Sequence, residues 1–194
     1  MKKKILIILG HTDSESFCSS LTDRYATGAS KQGYELRRIN LGEIKFDPIL
    51  HLGYRKIQDL EPDLLKAQED IRWADHLVII FPNWWGTFPA ILKGFIDRIF
   101  LPAFGYKFKS STSFVWKKLL KNKTGRMIVT MDAPPIYYRF YLFSPGVRAI
   151  RKTVLEFCGI SPVRTTLIGP IKKMSEKQKT SWLKRIEKLG KKGK

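Results

Sequence analysis

FPNWWGTFPAILKGFIDRIF, residues 81–100, is the most informative stretch of this chain, together with the apolar run DHLVII, residues 75–80, that precedes it. The apolar run between polar residues predicts a buried parallel strand over residues 75–81. From Pro89 onward, apolar residues recur at helical spacing, which predicts a helix over residues 89–101. The loop between them carries two adjacent tryptophans. Ligands of open α/β sheets bind outside the carboxyl ends of the strands, so we expect a flat ring to bind at this loop.

The rest of the chain repeats this alternation of strand and helix. Further strands are expected at residues 3–10, 34–39, 125–131 and 162–168, and further helices at 16–31, 62–74, 145–157 and 175–189. Strict alternation predicts an α/β fold with a parallel, doubly wound sheet. Five strands in 194 residues suit a flavodoxin-like three-layer sandwich with strand order 2-1-3-4-5. We expect one domain, residues 1–194, with residues 102–124 forming a long connection.

Composition limits the classes of protein to consider. With 43% hydrophobic residues the chain is expected to be globular, and it has no apolar stretch long enough to span a membrane. Two cysteines far apart in sequence favour a reducing, cytoplasmic location. The net charge of +19 is concentrated in residues 107–126 and 172–194. We interpret it as a solvated basic surface. A polyanion site stays open as the alternative, although no specific nucleic-acid-binding motif accompanies the charge.

A hydroxyl-rich loop, GHTDSESFCSS at residues 10–20, follows the first strand. Free N–H groups at the start of the next helix suit an anion, although ordinary capping by Ser14 or Ser16 would explain the same composition. The loop lacks the glycine patterns of dinucleotide-binding and NTPase loops. His11 fits a hydrogen bond to phosphate better than a role as general base, because no nucleophile accompanies it, and no metal site is expected. Cys18 has either a lowered pKa at the helix start or a packing role.

Two further loops are candidates for the ring site. Trp84 and Trp85 offer flat contact area for a ring, and Asn83 offers a donor and an acceptor to its polar edge. The alternative is that the two tryptophans only cover the end of the sheet. The fourth strand ends at MDAPPIYY, residues 131–138, where two prolines remove backbone donors. Tyr137 and Tyr138 either roof a substrate pocket or pack against the next helix.

These motifs carry a family resemblance. The chain resembles the NAD(P)H:quinone oxidoreductases of the DT-diaphorase and modulator-of-drug-activity-B group, which are flavoproteins with a flavodoxin-like fold. The shared elements are Phe81-Pro82, Trp85, PAILKG at residues 89–94, Asp97-Arg98 and FGYKF at residues 104–108. The loop after the first strand is similar to the family's phosphate loop His-x4-Ser-Phe-Asn, with Cys18 at the position where the family often has Asn.

The resemblance implies a set of site residues. The expected cofactor contacts are His11, Ser16, Phe17, Cys18, Pro82, Asn83, Trp84, Trp85, Thr130, Asp132 and Ala133. The expected substrate pocket contains Tyr106, Tyr137 and Tyr138. Family members commonly carry a glycine-rich loop where this chain has Asp132-Ala133-Pro134, so the third loop departs from the pattern. The implied cofactor is FMN, with FAD as the alternative.

The resemblance also implies an activity. NAD(P)H would reduce the flavin by hydride transfer, and a quinone or similar acceptor would then take two electrons in the same slot. A homodimer is implied, with FGYKF helping to wall the partner's pocket. The alternative is an ancillary flavoprotein subunit of a membrane potassium-efflux system, whose basic face would contact anionic membrane or an acidic partner. A simple electron-carrier flavodoxin is disfavoured because such carriers are usually acidic.

Overall fold

The computed structural model describes residues 2–110 and 112–194. The strands are β1 (Lys4–Leu9), β2 (Glu35–Asn40), β3 (His76–Pro82), β4 (Tyr106–Phe108), β5 (Trp116–Lys118), β6 (Lys123–Thr130) and β7 (Ile160–Ile168). The α-helices are α1 (Phe17–Ser30), α2 (Pro62–Trp73), α3 (Ala90–Ile99), α4 (Pro135–Phe140), α5 (Pro145–Arg148), α6 (Glu156–Cys158) and α7 (Glu176–Lys191). A π-helical stretch, Ala149–Leu155, joins α5 to α6, and we call this continuous element the 145–158 helix.

The main sheet is parallel and has the order β2-β1-β3-β6-β7. Because β6 and β7 are the fourth and fifth strands of this sheet, the predicted flavodoxin-like order 2-1-3-4-5 is confirmed. The central strand β3 is buried along its whole length, which explains its continuous apolar sequence.

Helices cover both faces of the sheet. Alternate residues of β1 point to opposite faces: Ile5 and Ile7 pack with α1 and α7, whereas Leu6 and Ile8 pack with α2, α3 and the 145–158 helix. On the first face, the backbones of α1 and α7 are in direct contact. A Cβ on Gly28 would lie 2.0 Å from the Glu187 carbonyl oxygen, so only glycine fits there. The result is the expected three-layer sandwich.

Two residues of the resemblance motif hold α3 to the loop that precedes α2. A Cβ on Gly94 would lie 2.3 Å from the Pro48 Cβ, so the helix and the loop touch through backbone. Arg98 is fully buried and donates to the Asp47 carbonyl (2.5 Å), the Asp59 carbonyl (2.7 Å) and the Glu61 carboxylate (2.8 Å). These two positions therefore stabilise the scaffold next to the ring loop.

Residues 102–124 differ from the expected connection, because they contain the antiparallel β4–β5 hairpin. Trp116 stacks on Phe157 at 4.5 Å, so contacts with a distant helix stabilise these short strands. β6 and β7 each begin two residues before the predicted positions 125 and 162, and α4 was not expected. Within the described residues, no helix is long and apolar enough to cross a bilayer.

Candidate functional site

Three loops leave the carboxyl ends of neighbouring strands at one edge of the sheet. Residues 10–16 follow β1, residues 83–89 follow β3 and residues 131–134 follow β6. β3 pairs with both β1 and β6, which places its loop between the other two. The Gly10 N–H donates to the Ile80 carbonyl at 2.8 Å, so the first loop begins in direct contact with β3. We call these three loops the candidate site.

The first loop ends in a capped helix. The Ser16 Oγ accepts from the Ser19 N–H (3.2 Å) and donates to the Asp13 carbonyl (2.8 Å), so Ser16 has the capping role. The first turn of α1 contains no acidic residue. The Phe17 and Cys18 N–H groups have no acceptor among residues 2–110 and 112–194. They are therefore available to an anion, as first-turn N–H groups commonly are.

His11 lies between the first loop and the tryptophans. Its Nδ1 accepts from the Asp13 N–H (2.8 Å), and its ring meets Trp84 edge-on at a centroid distance of 5.4 Å. Burial lowers the pKa of His11, and the opposing effect of Asp13 is smaller. The imidazole is therefore neutral at pH 7, with Nε2–H as its donor. This arrangement suits the predicted hydrogen bond to a phosphate oxygen.

The second loop contains a tight turn. The Trp84 N–H donates to the Thr87 carbonyl (3.2 Å) and the Thr87 N–H to the Trp84 carbonyl (2.9 Å). Trp85 and Gly86, at the tip, have φ angles of 51° and 79°, as in the type I′ turns that usually carry Asn-Gly. The Trp85 side chain is fully exposed and Trp84 is 45% exposed. A left-handed tryptophan costs about 1–2 kcal/mol, and such local strain is typical of functional sites.

Residues behind the turn hold it in place. Tyr138 is fully buried, and its hydroxyl donates to the Gly86 carbonyl (3.2 Å) and accepts from the Val147 N–H (3.4 Å). Tyr138 was predicted to line the substrate pocket, and this prediction is wrong: its ring packs in the core and its hydroxyl supports the turn. Tyr137 remains 46% exposed and stacks on Tyr141 at 4.9 Å.

Thr130 joins the three loops. Its Oγ1 lies 3.2 Å from the Cys18 Sγ, and its carbonyl accepts from the Asn83 N–H at 2.7 Å. Burial raises the pKa of Cys18 to about 12, so the residue stays a thiol and has the packing role. The Asn83 Oδ1 is buried and has no donor within the described part of the chain. An orphan amide oxygen of this kind suits a ligand that brings an N–H group.

The third loop is tied to the segment after β7. The Asp132 carboxylate accepts from the Lys172 N–H (3.1 Å) and pairs with the Lys172 Nζ (3.2 Å). A Cβ on Gly169 would lie 2.9 Å from the Ala133 carbonyl oxygen. Cofactor contacts of Asp132 and Ala133 stay predictions, and the ion pair gives Asp132 a structural partner that local sequence reasoning missed.

Tyr106 is far from the tryptophan turn within one chain. The 145–158 helix begins beside the turn, where the Gly146 N–H donates to the Gly86 carbonyl (3.3 Å). The same helix ends at the β4–β5 hairpin, where a Cβ on Gly105 would lie 2.7 Å from the Cys158 Sγ. A helix of this length spans about 20 Å. Within one chain Tyr106 therefore does not reach the turn, and its expected place in the pocket of a homodimer stays a prediction.

Exposed apolar side chains adjoin the turn. They belong to α4 and the residues after it: Ile136, Tyr137, Phe140, Tyr141 and Phe143. A concentration of this kind often marks a surface that another molecule covers. In the described residues, no group of three or more His, Cys, Asp or Glu side chains could hold a metal ion.

Comparison with known proteins agrees with this geometry. The model of the flavodoxin-like fold family matches residues 3–191. An uncharacterized NAD(P)H oxidoreductase of Haemophilus influenzae is 28% identical over 92% of this chain and 89% of its own length. NAD(P)H dehydrogenase (quinone) 1 of Cavia porcellus is 25% identical over 96% of this chain and 77% of its own length.

A solved structure shows the same fold at lower identity. It is the FMN-dependent NADH-azoreductase of Bacillus anthracis in complex with FMN, which is 17% identical. Its TM-score is 0.77, and the match covers 98% of each chain. At this identity the likeness concerns the fold.

Proposed function

This chain belongs to the flavodoxin-like family, and we propose that it is an FMN-dependent NAD(P)H oxidoreductase that reduces quinones or similar acceptors by two-electron hydride transfer. We further propose that residues 1–194 form one domain and act in the cytoplasm. Both cysteines are free, buried thiols, which supports a reducing compartment.

A single observation carries the proposal: Thr130 contacts both Cys18 in the first turn of α1 and Asn83 beside the tryptophans. Thr130 therefore bridges the start of α1, where we place the anion, and the loop that carries the two tryptophans. A ligand with a phosphate at one end and a flat polar ring at the other matches this pair of features. FMN has this composition, and no adenylate is needed to fill the contacts described.

The residues present fit FMN at both ends. The Phe17 and Cys18 N–H groups and the His11 Nε2–H would receive the phosphate. Trp84 and Trp85 would contact the ring, and the orphan Oδ1 of Asn83 would accept from an N–H on its polar edge. Ser16 acts indirectly, because its hydroxyl is committed to the helix cap. When bound, FMN supplies the hydride and two-electron chemistry.

The contribution of the protein itself is to hold the side chains that would contact the cofactor in fixed positions. Tyr138 and Gly146 fix the Gly86 carbonyl, so the turn presents its two indoles from a rigid base. Neutral His11 keeps one donor and adds no charge beside the ring. We assign no side chain of the site to proton transfer.

We propose that the active form is a homodimer. The exposed apolar side chains of residues 136–143 beside the turn support a partner at this face. The partner could also bring Tyr106, which lies far from the site in its own chain. We do not propose the alternative role as an ancillary flavoprotein subunit of a potassium-efflux system, because the relatives named above are described as NAD(P)H oxidoreductases.

The proposal is tested by the absorption spectrum of the purified protein. It should show flavin bands, release FMN on denaturation and bleach under anaerobic NAD(P)H, and a quinone should restore the colour. Trp85→Ala should release FMN more readily, whereas Phe114→Ala, at another exposed aromatic, should not. A colourless protein that takes up neither FMN nor FAD would refute the proposal.

A further inference from the structure

The β4–β5 hairpin has one face that is basic and exposed. Lys107 and Lys117 are register partners in this antiparallel pair, and the Lys109 N–H donates to the Val115 carbonyl at 3.1 Å. Because side chains alternate between the two faces of a strand, Lys107, Lys109, Val115 and Lys117 share one face, and all four are exposed. We call these four residues, together with Phe114 beside them, the hairpin patch.

The opposite face of the hairpin is fixed to the body of the protein. The rings of Tyr106 and Trp116 lie 5.0 Å and 4.5 Å from the ring of Phe157. The Trp116 Nε1 also donates to the Phe157 carbonyl at 3.0 Å. These contacts hold the hairpin in one orientation, so the hairpin patch is directed away from the 145–158 helix.

The lysines of the hairpin patch have no counter-charge nearby. The sequence contains no Asp or Glu from residue 98 to residue 131. The carboxylate of Glu156, whose carbonyl accepts from the Lys118 Nζ, pairs instead with Arg151 and Lys152 at 2.8 Å each. Like charges that face each other across a strand pair are destabilising, and this is the arrangement of Lys107 and Lys117. An external anionic partner would relieve this repulsion.

Apolar side chains lie among these charges. Phe114 is 93% exposed and Val115 is 54% exposed. Aromatic side chains next to lysines are typical of surfaces that lie on a membrane, where the ring enters the headgroup region and the ammonium group stays in water. The composition of the hairpin patch therefore matches a lipid surface with negative charge.

Other occupants fit less well. Lysine is depleted in the buried centre of protein–protein interfaces. In a two-fold contact with a second copy of the chain, the same patch would lie on both sides, so lysine would face lysine. The cations of residues 107–121 are all lysines, whereas specific binding of single phosphates favours the planar fork of arginine. A compact charge on a flexible stem suits the diffuse charge of a membrane.

We propose that the hairpin patch docks the protein on an anionic membrane surface, with Phe114 in the headgroup region. A lysine close to such a surface strengthens binding by about 5-fold, so three lysines together contribute about 100-fold. The inference does not rest on the proposed function. A quinone reductase docked in this way would lie beside the phase in which apolar quinones dissolve.

The test is sedimentation of the purified full chain with vesicles of phosphatidylcholine containing about 30% phosphatidylglycerol, at about 0.15 M salt. The variant K107Q/K109Q/K117Q removes the charge of the patch. The control K173Q/K177Q/K184Q removes three other exposed lysines that form no ion pair within the described part of the chain. We expect the patch variant to bind at least about 30-fold more weakly and the control to change by less than about 3-fold.

A second variant tests the apolar contact. Phe114→Ala should weaken vesicle binding by about 5-fold, because it removes the ring that enters the headgroup region. Vesicles of phosphatidylcholine alone should bind the parent protein weakly. Thermal unfolding checks that all three variants fold.

Four results would overturn the proposal. The parent protein may fail to sediment with the anionic vesicles, or the two lysine variants may lose affinity equally, in which case net charge explains the binding. Unchanged binding of Phe114→Ala would show that the ring does not enter the membrane. A lower molar mass of either patch variant in light scattering would assign the patch to a contact between copies of the chain. None of these results depends on flavin or on activity, so the proposed function is tested separately.

Discussion

Replacing Trp85 with Asn separates stability from cofactor binding at the tip of the aromatic turn. Trp85 has a φ of 51° and is fully exposed, so its removal loses no buried apolar area. Asn tolerates the left-handed conformation and creates Asn-Gly, the preferred sequence of a type I′ turn. We therefore expect W85N to stabilise the apoprotein by about 1 kcal/mol. For a chain of this size, that gain raises Tm by about 2–4 °C.

The same change should weaken FMN binding. An aromatic contact with a flat ring is worth about 1 kcal/mol, which corresponds to a Kd about 5-fold higher. Apoprotein prepared by flavin removal would be melted by circular dichroism, and FMN affinity would be measured by the quenching of flavin fluorescence on binding.

A matched variant separates the two effects. Ala103 is also left-handed (φ 70°) and exposed but lies away from the turn and from residues 136–143, so A103N should stabilise the apoprotein without changing FMN affinity. If W85N destabilises the apoprotein, the argument from backbone strain is wrong. If W85N binds FMN as tightly as the parent, Trp85 does not contact the ring.

Three further predictions concern the scaffold and its pH dependence. Gly94→Ala should destabilise by at least about 2 kcal/mol in urea unfolding, because the new methyl group meets Pro48 at 2.3 Å, and full stability would contradict the close contact. Arg98→Met should cost about 3 kcal/mol by leaving the Glu61 carboxylate without its buried partner, whereas the FMN affinity of the folded protein should not change. Burial lowers the pKa of His76 from 6.5 to about 3, so on acidification the unfolded chain takes up a proton that the folded protein does not. Stability should therefore fall below pH 6.5, and H76N should reduce this slope between pH 6 and pH 4 by up to about 1.4 kcal/mol per unit; an unchanged slope would contradict the assignment.

The main features of the fold were predictable because they follow from local periodicity. The apolar run before Phe81 and the helical spacing after Pro89 each depend on residues close in sequence, and both elements lie where predicted. The parallel arrangement of the sheet was predicted from the strict alternation of strands and helices along the chain. The β4–β5 hairpin was not predictable in this way, because its stability depends on contacts with Phe157 about 40 residues later.

The location of the candidate site could be predicted from the order of the segments, because a hydroxyl-rich loop after β1 and two indoles after β3 lie at the same carboxyl edge of a parallel sheet. The contacts that each side chain makes there could not be predicted in this way. Tyr137 and Tyr138 are adjacent, yet one is exposed and the other is buried beneath Gly86, 52 residues away. The Asp132 carboxylate accepts a hydrogen bond from the N–H of Lys172, which lies 40 residues later in the sequence. Periodicity records which face of an element is apolar, whereas the partner of a polar group is set by segments that only folding brings together.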